Sequence, residues 1–139
     1  MIYLANGFSP AMLSRLPADV EFKEVNDKEF CGAVIHAVNS IGHAGTIDLV
    51  NQLCRTSLST NRISIHVEVG DEIYIVLLMV RLEEGRILKS EEIKKMYKEG
   101  KVKFIRAKIF GPVLEELAGC EGRCDEVAYD SLANKAKMG

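Results

Sequence analysis

Apolar residues along this chain recur with two periods, and each switch between them marks an element. The run MIYLA (1–5) reads as a first strand, closed by Asn6, Gly7 and Phe8. Ser9 followed by Pro10 is a helix start, a serine cap with proline at the first helical position, and predicts a short helix PAMLSRL that stops before Pro17. VEFKEV (20–25) reads as a short strand. From Asn26 the period becomes helical. Asn26 or Asp27 caps the run, and Phe30, Val34 and Val38 fall at i, i+4 and i+8. A second helix, from about His43 to Cys54, follows from the spacing of Ile47, Val50, Leu53 and Cys54.

RISIHVEV (62–69) alternates, with Ile63, Ile65, Val67 and Val69 on one side, and predicts a strand. Gly70 and Asp71 then turn the chain into EIYIVLLMV (72–80), which is apolar on both faces and so belongs in the middle of a sheet. RLEEGRIL (81–88) leaves it as a loop, Ser90 caps the helix SEEIKKMYKE, Gly100 ends that helix, and KVKFIRAKIF is a last strand. About five strands and four helices in mixed order predict an α/β (α+β) fold, a mixed sheet flanked by helices mainly on one face. Residues 1–110 form one compact domain, and the polar, weakly patterned 111–139 reads as a C-terminal extension, partly helical or disordered.

Composition narrows the function classes. The 139 residues carry a formal net charge of -2, so no basic field suggests duplex DNA as a partner. A small anion needs only a local patch and stays open. The longest apolar run, Ile73 to Val80, is strand length, and the N-terminus has neither the basic start nor the cleavage site of a secretion signal. The reading is a cytoplasmic protein with reduced cysteines, Cys31 and Cys54 serving as core residues. Cys120 and Cys124, three residues apart, fall short of the four ligands of a structural zinc. Free thiols or a disulfide are the other readings of that pair.

Three polar clusters carry candidate chemistry. In SIGHAGT (40–46), Gly42 lets backbone approach a ligand, and the free N–H groups of the following helix favour an anion. His43 can titrate near neutrality and give a proton to an oxygen leaving a phosphate, and Thr46 adds a hydroxyl. Arg81, at the end of the central strand, can clamp a phosphate, and Glu84 can hold a ligand hydroxyl or tune a histidine. Asn6, Gly7 and Ser9 offer amide, backbone and hydroxyl contacts after the first strand. Each cluster alone has a plainer reading, as a turn, a solvated charged loop or a cap. Phosphate-loop, dinucleotide-binding and nucleophile-elbow motifs are absent. His66, on the polar side of its run, reads as solvated, and His36 as a helix-end residue.

YLANGFS, NSIGHAGTIDLVNQLC, NRISIHVEVGDEIYIV and RLEEGRIL followed by EEIKKMYKEGKVKF come in the order and spacing of the viral anti-CRISPR ring nucleases, and over residues 2–109 the chain resembles that family. The resemblance implies a two-fold homodimer that binds cyclic tetra-adenylate, the messenger of type III CRISPR immunity, and opens it without metal or cofactor. A substrate 2′-hydroxyl attacks the adjacent phosphorus, leaving a 2′,3′-cyclic phosphate and a free 5′-hydroxyl. Carried over by position, His43 is the general acid, Arg81 the phosphate and transition-state contact, and Glu84 the support of the histidine or the ligand. Asn6, Gly7, Ser9, Gly42 and Thr46 are substrate contacts. The chain departs from the family at Ala11 and Leu77, where members have asparagine and glutamine. The resemblance also implies a viral or host-cell cytoplasmic location and antagonism of that immunity. The rival readings are a sponge that binds the messenger uncut and a protein-interaction module.

Overall fold

The computed structural model describes residues 1–80 and 88–111. Its centre is β4 (Glu72–Leu78), the strand whose two apolar faces call for cover on both sides. On one flank β4 pairs in parallel with β1 (Ile2–Ala5), which pairs in parallel with the two-residue β3 (Val38–Asn39). On the other flank it pairs antiparallel with β5 (Val102–Phe110), which pairs antiparallel with β2 (Asp19–Val25). The order is β2-β5-β4-β1-β3, a mixed five-stranded sheet as the sequence predicts.

Three helices, α1 (Asp27–Val34), α2 (Ala44–Cys54) and α3 (Ser90–Lys98), bury their apolar stripes on one face of this sheet. Phe30, Val34, Ile47, Val50 and Ile93 close against Leu4, Tyr74, Val76 and Phe104 there, and Phe30 stacks on Phe104 with ring centroids 4.1 Å apart. The other face has no helix among the described residues. Ile73, Ile75, Ala107 and Ile109 are covered instead by Ile65 and Val67, with Phe8, Met12 and Leu13 packed beside them.

Four local readings change. The alternating run 62–69 is not a strand. Both sides of β1 are already taken by β3 and β4, so the run lies over the sheet as a lid of apolar residues, touching strand geometry only at the Leu13–Val67 bridge. Its alternation is real, with Ile65 and Val67 buried and Ile63 and Val69 exposed, but the buried side faces the sheet rather than continuing it. The first predicted helix shrinks to a single 3-10 turn, Pro10–Met12, capped by Ser9, whose Oγ accepts from the Ala11 N–H at 3.2 Å. Helix α1 ends at Val34 rather than running on to Val38, because Val38 pairs with Tyr3 in the sheet. The cap of α3 is Lys89, one residue before Ser90; the Lys89 N–H donates to Glu92 Oε1 at 2.9 Å, and the Ser90 hydroxyl donates to Asp48 on α2.

Cys31 and Cys54 are joined in a disulfide between α1 and the last residue of α2, not held as reduced core thiols. Each sits on an apolar helical stripe, and packing the two helices side by side puts their Cα atoms 5.1 Å apart. The extension beyond Gly111, with Cys120 and Cys124, lies outside the described residues.

Candidate functional site at the start of helix α2

Strands β1, β3 and β4 run in parallel, so their C-terminal ends meet on one edge of the sheet, where open α/β sheets present ligand contacts. The chain leaves β1 to return beside it as β3, then crosses through α2 to β4 on the other side of β1. The start of α2 therefore faces the ends of all three. Ser40 ties the edge together, its N–H and its hydroxyl both donating to the Leu4 carbonyl at 2.8 Å.

His43 is the cap residue of α2, yet its side chain makes no cap hydrogen bond. Its carbonyl takes the Ile47 N–H at 3.1 Å, so the helix begins in order while its leading N–H groups lack the usual side-chain acceptor. The imidazole turns instead toward the third helical residue: Nδ1 lies 3.0 Å from Thr46 Oγ1. Thr46 is only 2 % exposed, and among the described residues it is the buried polar side chain of the domain.

The floor around His43 is built by close approach. A Cβ on Gly45 would stand 2.9 Å from Ile93 Cδ1, 3.1 Å from the Leu88 carbonyl oxygen and 3.2 Å from His43 Cε1, so only glycine lets α3 and the imidazole both press on this turn. A Cβ on Gly42 would overlap Arg62, whose side chain lies across it. Arg62 is placed there by a pair of asparagines. Asn39 Nδ2 donates to the Ser59 carbonyl at 2.8 Å, Asn61 Nδ2 donates to the Asn39 carbonyl at 2.9 Å, and the Asn61 N–H donates to the Ile41 carbonyl at 2.7 Å.

Asn6, Ser40, Gly42, His43, Thr46, Arg62 and Ser64 line a cavity of about 680 Å³, with Val76, Leu78 and Leu88 as its apolar side. A neighbouring cavity of about 370 Å³ opens on Asn6, Ser9, Ala11, Ser64 and His66. The fold thus brings together five of the predicted residues: Asn6, Ser9, Gly42, His43 and Thr46. Gly7 borders neither cavity, and a Cβ there would meet open space, so no close approach requires glycine. Arg81 and Glu84 lie outside the described residues, although β4 delivers the chain to this same edge. His36 is exposed in the turn after α1, away from both cavities. Of the two departures from the family pattern, Ala11 borders the smaller cavity, and Leu77 is 39 % exposed on the sheet face without helices.

Arg62 is the residue that the sequence reading passed over. It opens an alternating run and looks there like the polar start of a strand. The asparagine bridges that carry it to Gly42 join residues about twenty positions apart, and no local pattern reports them. Among the described residues, no three His, Cys, Asp or Glu side chains converge as a metal site would require.

The STIV B116-like family matches residues 2–104. The chain belongs to this family. ORF116 of Acidianus filamentous virus 1 (isolate United States/Yellowstone) is 46 % identical over 113 residues, covering 80 % of this chain and 97 % of the relative. Protein 26 of Sulfolobus islandicus filamentous virus (isolate Iceland/Hveragerdi) is 31 % identical over 55 residues, 40 % of this chain and 47 % of that protein. Among solved structures, B116 of Sulfolobus turreted icosahedral virus superposes with a TM-score of 0.63 at 37 % identity, covering 77 % of this chain and 97 % of B116. All three are viral proteins, B116 shares the fold of this chain, and residues 105–139 lie outside the family match. No helix among the described residues is long and apolar enough to cross a membrane.

Proposed function

We propose that the protein is a metal-independent ring nuclease that opens cyclic tetra-adenylate and so antagonises type III CRISPR immunity in the cytoplasm of an infected cell. The observation that carries the reading is the uncapped start of α2, where His43 and Arg62 stand together on the rim of a cavity at the ends of three parallel strands. Free helix N–H groups and a guanidinium suit a phosphate, and an imidazole beside them suits proton delivery to its leaving oxygen.

The substrate brings its own nucleophile, a ribose 2′-hydroxyl held in line with the adjacent phosphorus. As the new P–O2′ bond forms and the P–O5′ bond breaks, the 2′-hydroxyl proton passes to solvent. His43 gives its proton to the leaving 5′-oxygen, and Arg62 offsets the charge that grows on the phosphoryl oxygens. Arg81 and Glu84 join this set by resemblance. A cavity of about 680 Å³ is the size of a drug-like ligand, smaller than a four-nucleotide ring needs. That supports a two-fold homodimer in which each protomer supplies half of the site. Phe22 and Leu77, 56 % and 39 % exposed on the face without helices, are apolar surface that a second copy would cover.

The test is incubation with cyclic tetra-adenylate in EDTA. The wild type yields linear di-adenylate ending in a 2′,3′-cyclic phosphate, and His43→Ala slows this about 10²–10⁴-fold while binding persists. Tight binding of a ring that stays intact would replace the nuclease reading with that of a sponge. Neither binding nor cleavage would overturn both and leave a protein-interaction module.

A further inference from the structure

We infer that Thr46 is a positioning residue: its buried hydroxyl accepts a hydrogen bond from His43 Nδ1–H and leaves Nε2 as the ring nitrogen that meets a ligand. At most helix starts the cap side chain accepts from the backbone N–H three residues on. Here that pairing is replaced by one between two side chains, the cap imidazole and the hydroxyl of the third helical residue, 3.0 Å apart. Thr46 borders the cavity, but at 2 % exposure it offers a ligand little, and its hydroxyl meets His43 instead.

Three features fit the oxygen as acceptor and the ring as held. A helical threonine's hydroxyl hydrogen is drawn to a carbonyl one turn earlier, which frees a lone pair for Nδ1–H. At 2 % exposure the threonine side chain is packed in place, so the oxygen stays where the ring needs it. The imidazole lies close over the Gly45 turn, its Cε1 3.2 Å from where a Cβ would stand, so the glycine leaves the space in which the ring reaches Thr46. With Nδ1 protonated both before and after transfer, the proton that comes and goes is the one on Nε2. This is the arrangement that a carboxylate imposes on a triad histidine, with a neutral oxygen in its place.

The kinetic consequence rests on the nuclease reading; the tautomer does not. Nitrogen-15 NMR of the full chain labelled at histidine reads the tautomer directly. The expected result is neutral His43 in the Nδ1–H form in the wild type and in Thr46→Ser, with that preference lost in Thr46→Val. In ring cleavage, Thr46→Val lowers kcat about 10–100-fold with KM little changed, and Thr46→Ser restores most of it. An Nε2–H ring in the wild type, or a Val variant with the tautomer unchanged, would overturn the inference. Equal losses of kcat in Ser and Val would do the same, marking a packing role. A wild type that leaves the ring uncut refutes the nuclease reading alone, and the NMR result still decides the positioning.

Discussion

Helices α1 and α2 lie side by side, share a disulfide and begin in opposite ways. Asn26 caps α1, its Oδ1 accepting the Glu29 N–H at 2.8 Å, with Asp27 and Glu29 in the first turn to complement the helix dipole. Helix α2 begins with a histidine that makes no cap bond, a glycine at its second position, and no acidic residue in its first turn. One helix start is finished for stability, and the other is left open at a cavity. The difference fits the role proposed above for the bare start of α2.

The largest expected effect on this comparison comes from the link between the helices. Reducing Cys31–Cys54, or replacing both cysteines by alanine, should cost about 3 kcal/mol in chemical unfolding, from the freedom returned to a loop with a sequence separation of 23. Activity per folded molecule should survive, because the bridge is at the far end of α2 from His43. Next comes a paired exchange of caps. Asn26→Ala should destabilise by about 1 kcal/mol and leave ring cleavage alone, whereas His43→Ser should stabilise by about 0.5–1 kcal/mol and slow cleavage about 10²–10⁴-fold. Thermal melts beside a cleavage assay read both, and a His43→Ser protein that is less stable would remove the contrast between the two starts.

The smallest effect lies at a second clamp on α1. Tyr97 of α3 donates to Asp27, and that hydrogen bond, then burial, holds its phenol up to about 12 from an ordinary 10.0. A raised acid favours the folded state below the unfolded pKa, so the contribution is present up to about pH 10 and lost as pH rises toward 12. Tyr97→Phe should cost about 0.5 kcal/mol near neutrality, discounted for its exposure. The gap to wild type should close between pH 10 and 12 in denaturant titrations. A gap that stays constant there would separate Tyr97 from the clamp.

Much of this architecture is legible in the chain. The apolar period found β1, β4, β5, α2 and α3, and the two apolar faces of 72–78 put β4 at the centre. The failures share a cause. Ile65 and Val67 carry a strand's alternation because half-buried cover over a sheet obeys the same period. Val38 carries a helix's spacing, yet a place beside Tyr3 in the sheet outweighs one more helical turn. Of the site, SIGHAGT announced itself through glycines around a histidine. Arg62 did not, because what places it is a set of hydrogen bonds from Asn39 and Asn61.

By itself the sequence determined the period of each element, the caps of α1 and the 3-10 turn, the central place of β4, and a histidine at the start of α2. Those are properties of neighbours in the chain, set by side-chain spacing and backbone preference. Only the tertiary structure decided that Cys31 meets Cys54, that Arg62 crosses Gly42, and that the Thr46 hydroxyl turns to His43. The first two join residues twenty or more positions apart. The third spans a single helical turn, but it depends on burial and on the space that Gly45 leaves for α3 and the ring, which packing alone supplies.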